Sequence, residues 1–232
     1  MRRKVLLLAL GVALLCGAVG GMVLADGPSF AFGGGGPGIG LFMPDLYEIN
    51  AFVEASDFTA FDGDLLLIGG GGRGGVVPGV AYGGSGWGAW IESDDGARHA
   101  EYGLGLGGFD IGYAVDGTKR SILAVGTLLG GGAAELVLSE EAPIAAEGPH
   151  PQGIIPAPLD AIYDSVFVLV APYIDIQIQL LDWMGLGVRV GYIWAPFEFN
   201  WSDQGPFDPP SLIPSGAYFR CSVEFGGIAD LR

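Results

Sequence analysis

The chain is poor in the residues that crosslink, bind metal or carry positive charge. Its 232 residues include two cysteines, two histidines and ten basic residues against 26 acidic ones, for a formal charge of −16. With no basic surface to neutralise phosphates, nucleic acid is excluded as a partner. His99 and His150 are isolated and no Cys/His/Asp spacing builds a zinc shell, so neither a metal centre nor a cofactor is expected. After residue 25 no stretch offers ~20 consecutive apolar residues, and no later transmembrane helix is predicted.

What is present begins with an export signal. Arg2, Arg3 and Lys4 precede an apolar run from Val5 to Leu15 that continues more loosely to Ala25, and Val23 and Ala25 suit cleavage after Ala25. Two alternatives are an uncleaved anchor, weakened as a helix by Gly11, Gly17, Gly20 and Gly21, and a lipid-modified Cys16, which has the bulky Leu15 before it. Cleavage removes three of the ten basic residues and none of the acidic ones, so the charge moves to −19. Cys16 leaves as well, and Cys221 alone cannot form an internal disulfide.

Residues 26–232 read as one glycine-rich domain. Glycine fills 43 positions, well above the usual ~7%, yet without a Gly-X-Y period, and it sits inside apolar or alternating runs. Eight such runs span about 29–42, 64–77, 80–92, 98–114, 120–138, 166–182, 185–197 and 215–226. The last three alternate strictly. Ile174, Ile176, Ile178 and Leu180 oppose Tyr173, Asp175, Gln177 and Gln179; Leu186, Val188, Val190, Tyr192 and Trp194 oppose Gly187, Arg189, Gly191 and Ile193; Phe219, Cys221, Val223 and Phe225 oppose Tyr218, Arg220, Ser222 and Glu224.

A soluble antiparallel sheet also alternates, so loop lengths decide. Connections after runs two, four and six are short. Those after runs one, five and seven are long, and the Asp94-Asp95-Gly96 turn alone breaks the pattern. Short turns on one side and long loops on the other, with an even strand count, is the layout of an outer-membrane barrel. Trp183 and Trp194 lie eleven positions apart, which on a tilted strand covers roughly 25 Å, the height of a barrel's apolar band. Trp194, Phe197, Phe199 and Trp201 are therefore expected at one interface and Trp183 at the other. The fold class is all-β: an antiparallel up-and-down barrel of about eight strands.

Between runs one and two, Asp45 caps a short helix with Leu46, Ile49 and Val53 on one face. The helix either enters the barrel or lies over its mouth. Glycines on the interior face of the early runs (Gly33 to Gly36, Gly69 to Gly72, Gly103, Gly105 and Gly107) would leave it space. Segments 139–164 and 203–214 look like exposed loops, and Pro172 is expected above the membrane band or at a bulge, because a closed barrel has no edge to tolerate it.

The layout resembles small outer-membrane β-barrel proteins of the OmpA and OmpX kind across nearly the whole mature chain. The sharpest local match is Ser215, Gly216, Ala217, Tyr218, Phe219, Arg220 and Cys221, continued by Val223 and Phe225. It is similar to the final-strand signal that the barrel-insertion machinery recognises, although here Gly226 to Arg232 follow the last aromatic residue. The resemblance implies contact with membrane lipid through Ile174, Ile176, Ile178, Val188, Val190, Phe219, Val223 and Phe225.

No motif carries chemistry strongly. Gly103 to Gly108 satisfies GxGxxG but lies inside a strand, and Gly69 to Gly75 lacks a following Lys-Ser/Thr. Asp94 and Asp95 form a hydrated acidic turn. Ser93, Asp94 and His99 gather at one rim, where a hydroxyl beside a base could support a lipid-modifying enzyme. Asp175, Gln177, Gln179, Arg189, Arg220 and Glu224 are expected to form a polar network inside the barrel, with Arg189 and Arg220 pairing to Asp175 and Glu224, since a buried charge is costly unless paired. The expected function is a non-enzymatic integral outer-membrane barrel with an envelope-structural or surface-interaction role. Alternatives are a soluble barrel, periplasmic or secreted, holding an apolar ligand in a glycine-lined cavity, and the rim enzyme.

Overall fold

The computed structural model describes residues 29–96, 98–140, 160–203, 210–213 and 215–231; the side chains of Asp160 and of residues 200–203 are outside that description. The signal at 1–25 and most of the two proline-rich loops fall outside it as well. The elements are β1 (Phe30–Pro44), α1 (Tyr47–Ala55), β2 (Leu65–Val77), β3 (Gly79–Asp94), β4 (Arg98–Gly117), β5 (Ser121–Glu140), β6 (Asp160–Leu181), β7 (Met184–Asp203) and β8 (Gly216–Asp230). Each strand pairs antiparallel with its sequence neighbour, and β1 pairs with β8 to close the barrel. Closure satisfies both edges of every strand, which is why the chain tolerates long apolar strands without a second sheet.

Pro44 ends β1, and the three prolines within strands sit where one ladder is interrupted. Pro37 lies in the gap between Gly35↔Phe225 and Gly38↔Ser222. Pro196 falls in the register shift between Val168↔Phe197 and Val170↔Trp194. Pro172 occupies the gap between Val170↔Trp194 and Tyr173↔Gly191. It is therefore mid-strand beside a bulge, not above the band, because the missing N–H matters only where a ladder bond is due.

The interior is filled in three layers. At the loop end Phe42, Leu65, Tyr102, Leu136, Leu138 and Tyr163 form an apolar layer that α1 completes with Ile49 and Val53, both fully buried. Tyr47, Glu48 and Glu54 stay outside, so the helix plugs the mouth by one face. Asp45 Oδ1 accepts from the Tyr47 N–H at 3.2 Å. Asn50 locks the returning loop, donating to the Phe61 carbonyl and accepting from its N–H, each at 3.0 Å. At the turn end Phe32, Val77, Ala81, Ala114 and Ile122 make a smaller apolar layer, covered by Phe30 and Ile228. Between them lies a charged layer.

Two expectations about glycine are corrected. Gly103, Gly105 and Gly107 alternate with buried Tyr102, Leu104 and Leu106, so they face outward; a Cβ at Gly103 or Gly105 would meet nothing within 4 Å. Several of the inward glycines receive an aromatic ring from a nearby strand, and others lie against backbone or the side chains of the charged layer. A Cβ at Gly126 would lie 2.6 Å from the Tyr173 hydroxyl, one at Gly132 2.5 Å from Phe167, and one at Gly191 2.7 Å from Tyr218. Small against large across facing positions is how a narrow barrel fills its lumen.

Residues past the last aromatic are also strand. Gly227 to Asp230 pair with Gly33 to Phe30, Lys119 Nζ reaches Asp230 at 3.0 Å, and Ile228 covers the lower layer. The tail beyond the insertion-type signal closes the turn end of the barrel.

Candidate functional site: a charged lumen inside an apolar belt

Strand register brings the charged layer together from six strands. Arg73, Gly83 and Asp110 are direct neighbours across β2, β3 and β4. Asp175, Arg189 and Arg220 are direct neighbours across β6, β7 and β8. The two rows face each other across the lumen. Asp175 accepts from Arg73 Nη2, and from Arg189 Nε at 2.6 Å; Arg189 Nη1 also donates to Asp110 at 2.6 Å. Asp110 accepts from the Ser85 hydroxyl at 3.1 Å. All five charged groups, Arg220 included, are buried, so their mutual pairing is what makes ionisation tolerable there.

Aromatic faces complete the layer. The Arg189 guanidinium lies 3.7 Å from the Tyr173 ring centroid, Arg220 4.7 Å from Trp87 and Arg73 5.8 Å from Phe32. These contacts share the guanidinium charge with ring quadrupoles where water is excluded.

Of the sequence-predicted network, the structure brings Asp175 and Arg189 together. Among the described residues Arg220 pairs with no carboxylate: its strand neighbours are Arg189 and Gly40, and its one hydrogen bond is to Ser85 Oγ at 3.4 Å. The correction follows from register, which places Glu224 beside Gly185 instead. Glu224 is half-buried and bonds Ser222 at 3.3 Å. Gln177 is buried next to Gly187, whereas half-buried Gln179 donates to the carbonyls of Leu181 and Gly226 near the lower rim. Arg73, Ser85, Trp87 and Asp110 were missed. A lone charge inside an otherwise apolar glycine-rich strand was the available signal for Arg73 and Asp110.

The outer wall is apolar on every strand. Ile39 and Leu41 of β1, Leu66 and Ile68 of β2, Tyr82 and Trp90 of β3, Phe109 and Ile111 of β4, and Leu123 and Leu129 of β5 are exposed. So are Ile174, Ile176 and Ile178 of β6, Leu186 and Val190 of β7, and Phe219, Val223 and Phe225 of β8. Val188 shares that face and is half-covered by its neighbours. At the turn end Trp183, 59% exposed, stacks on Phe225 with ring centroids 6.2 Å apart. Trp90, Trp194, Phe197 and Phe199 stand exposed toward the loop end, while the Trp201 side chain lies outside the described residues. Isolated surface apolar residues are ordinary, but a continuous ring is not.

Negative charge is concentrated at the loop end, whereas the turn end carries both signs, Asp116, Asp182 and Asp230 among them. The loop end carries Asp45, Glu48, Glu54, Asp57, Asp62 and Asp64 around α1, and Glu92, Asp94, Asp95, Glu101, Glu135, Glu140 and Asp164 on the strand tops. Its one cation among the described residues is Arg98, which donates to the Asp57 carbonyl at 2.5 Å and lies 3.5 Å from Glu140. Lys119 and Arg120 occupy the opposite end.

The rim constellation does not form. Ser93 has the inward parity of Ala89 and Ile91, and its hydroxyl donates to the Thr59 carbonyl at 2.6 Å. His99 has the outward parity of Glu101 and lies 3.8 Å from Asp94. Hydroxyl and imidazole are on opposite faces of the sheet, because Ser93 pairs with Ala100 and not with His99.

No protein family and no curated protein matches the chain in sequence. Among solved structures it is similar to Ail, the attachment invasion locus protein of Yersinia pestis, crystallised with the heparin analogue sucrose octasulfate: 8% identity, TM-score 0.44, covering 88% of this chain and all of that one. The same protein without the analogue gives 8% identity and 0.40 over the same shares. The outer membrane protease OmpT from Escherichia coli gives 9% and 0.25, covering 89% of this chain and 98% of that one. At these values the likenesses carry no inference about ligand or activity.

Proposed function

We propose that the chain is a non-enzymatic integral outer-membrane β-barrel, sealed along its axis, that serves the envelope as a structural or surface-contact protein. The observation that carries this is the apolar outer wall. A ring of apolar side chains bounded by aromatic residues covers the outside of every strand, around a lumen whose middle layer is charged. In water that ring would be a large aggregation surface; in a bilayer it meets hydrocarbon. Residues 1–25 direct export, and the segment from Ser215 to Phe225 serves the barrel-insertion machinery. A soluble carrier of apolar ligands is disfavoured, since Gly126, Gly132 and Gly191 each face a ring and the middle layer of the lumen is charged. The acidic loop end suits cationic partners and repels sulfated or phosphorylated ones.

Envelope fractionation tests this. The protein should remain with outer membranes after a carbonate wash and migrate differently on a gel when unheated. Recovery in the soluble fraction without detergent would refute it.

A further inference from the structure

The charged layer retains a cavity of about 20 Å³, lined among others by Arg73, Ser85, Trp87, Arg220, Ser222 and Glu224. A space of that size holds about one water-sized occupant. Arg73, Trp87 and Arg220 are each more than nine-tenths buried, at 7%, 6% and 8% exposure. The hydrogen-bond accounting around them is one-sided. Among the described residues Arg73 Nε and Nη1 and Trp87 Nε1 meet no acceptor, and Arg220 has only Ser85 Oγ at 3.4 Å. Against these donors the cavity offers one spare buried acceptor, Glu224 Oε2.

Charge points the same way. Three guanidinium groups share two fully buried carboxylates, and both are occupied: Asp175 by Arg73 and Arg189, Asp110 by Arg189 and Ser85. Arg220 lies directly beside Arg189 without an ion pair among the described residues. Glu224 and Asp110 line the same cavity as Arg220, and Glu224 Oε2 is its one acceptor without a partner among the described residues. A water molecule there finds that single acceptor for its two O–H groups, against several N–H donors. A halide accepts from several sides and donates to none.

We propose that this cavity is a binding site for one monovalent anion of chloride size, held by Arg220, Arg73 and the Trp87 indole N–H. The anion satisfies the orphaned donors and compensates the guanidinium that has no carboxylate. The site belongs to the lumen alone and does not depend on where the barrel resides. Because apolar layers close both ends, the ion is taken up as the chain folds.

The test refolds the mature chain in detergent with sodium bromide and crystallises it for anomalous diffraction. In parallel, urea midpoints are compared in sodium chloride and in sodium gluconate at equal ionic strength. A bromide peak within hydrogen-bond reach of Arg220 and Trp87, with a midpoint that rises and saturates with chloride, is expected. Trp87→Phe should weaken the chloride response several-fold, and Arg220→Met should abolish it. Glu224→Gln, which removes the one competing negative charge, should strengthen it. Should Arg220→Met fail to fold, Trp87→Phe and Glu224→Gln still decide. No anomalous density in the lumen, or a chloride response that is unsaturating and identical in wild type and Trp87→Phe, would overturn the proposal.

Discussion

Replacing Asp175 by asparagine is the sharpest perturbation of the charged layer. Asp175 is buried and receives both Arg73 and Arg189. After the change Arg189 keeps Asp110, whereas Arg73 keeps only the face of Phe32 at 5.8 Å. The amide retains one acceptor oxygen but turns an N–H₂ on the second guanidinium. Removing one partner of a buried ion pair costs about 3–5 kcal/mol, mostly as the stranded charge of the other. Most of that loss belongs to Arg73. The double variant Asp175→Asn with Arg73→Met should therefore recover about half of it, an interaction energy of roughly 1–3 kcal/mol in the cycle. Urea unfolding in lipid vesicles, followed by tryptophan fluorescence and unheated gel mobility, reads both quantities. A cost below about 1 kcal/mol for Asp175→Asn, or strict additivity of the two changes, would show that the layer is hydrated and that burial does not govern it.

Gly105→Val should be tolerated, since the outward position meets nothing within 4 Å, while Gly126→Val drives a side chain into the Tyr173 hydroxyl and the Ile111 carbonyl and should prevent assembly, scored as loss of the unheated gel species. Deleting residues 227–231 removes four strand pairs and the Ile228 cover over Phe32 and should lower stability by about 2–4 kcal/mol at roughly 1 kcal/mol per hydrogen bond, without unfolding the barrel. Asn50→Ala loses both bonds to Phe61 and should cost about 1–3 kcal/mol, seen as faster proteolysis between α1 and β2 in an otherwise intact barrel. Planar bilayers should record no steady conductance, because layers of side chains block the lumen along its length.

The sequence was most legible where the two faces differ most in polarity. In β6 to β8 the inward set carries Asp175, Gln177, Arg189 and Arg220, so alternation assigned the faces without coordinates. In β4 it could not: inward Leu104 and Leu106 alternate with outward Gly103 and Gly105, and glycine is compatible with either side. Strand existence was readable from turn chemistry, but strand length was not, because β5 and β6 continue beyond the apolar runs to Glu140 and through Asp164. Pairing across the lumen was least legible. Asp110 finds Arg189, and Arg220 stands beside Arg189, only through the stagger of eight strands, and no single strand encodes that stagger. The catalytic-looking proximity of Ser93 and His99 failed for a related reason: the register across the Asp94 turn opposes Ser93 to Ala100 and leaves the two groups on opposite faces.

The most direct test of the lipid-facing apolar wall is a cysteine scan of positions 174 to 179 in a Cys221→Ser background, with spin labels exposed to lipid-soluble oxygen and to a water-soluble nickel chelate in reconstituted vesicles. Labels at 174, 176 and 178 should be relaxed strongly by oxygen and weakly by the chelate, and labels at 175 and 177 by neither, giving a period of two. Strong relaxation of the 174, 176 and 178 labels by the aqueous chelate would contradict the account.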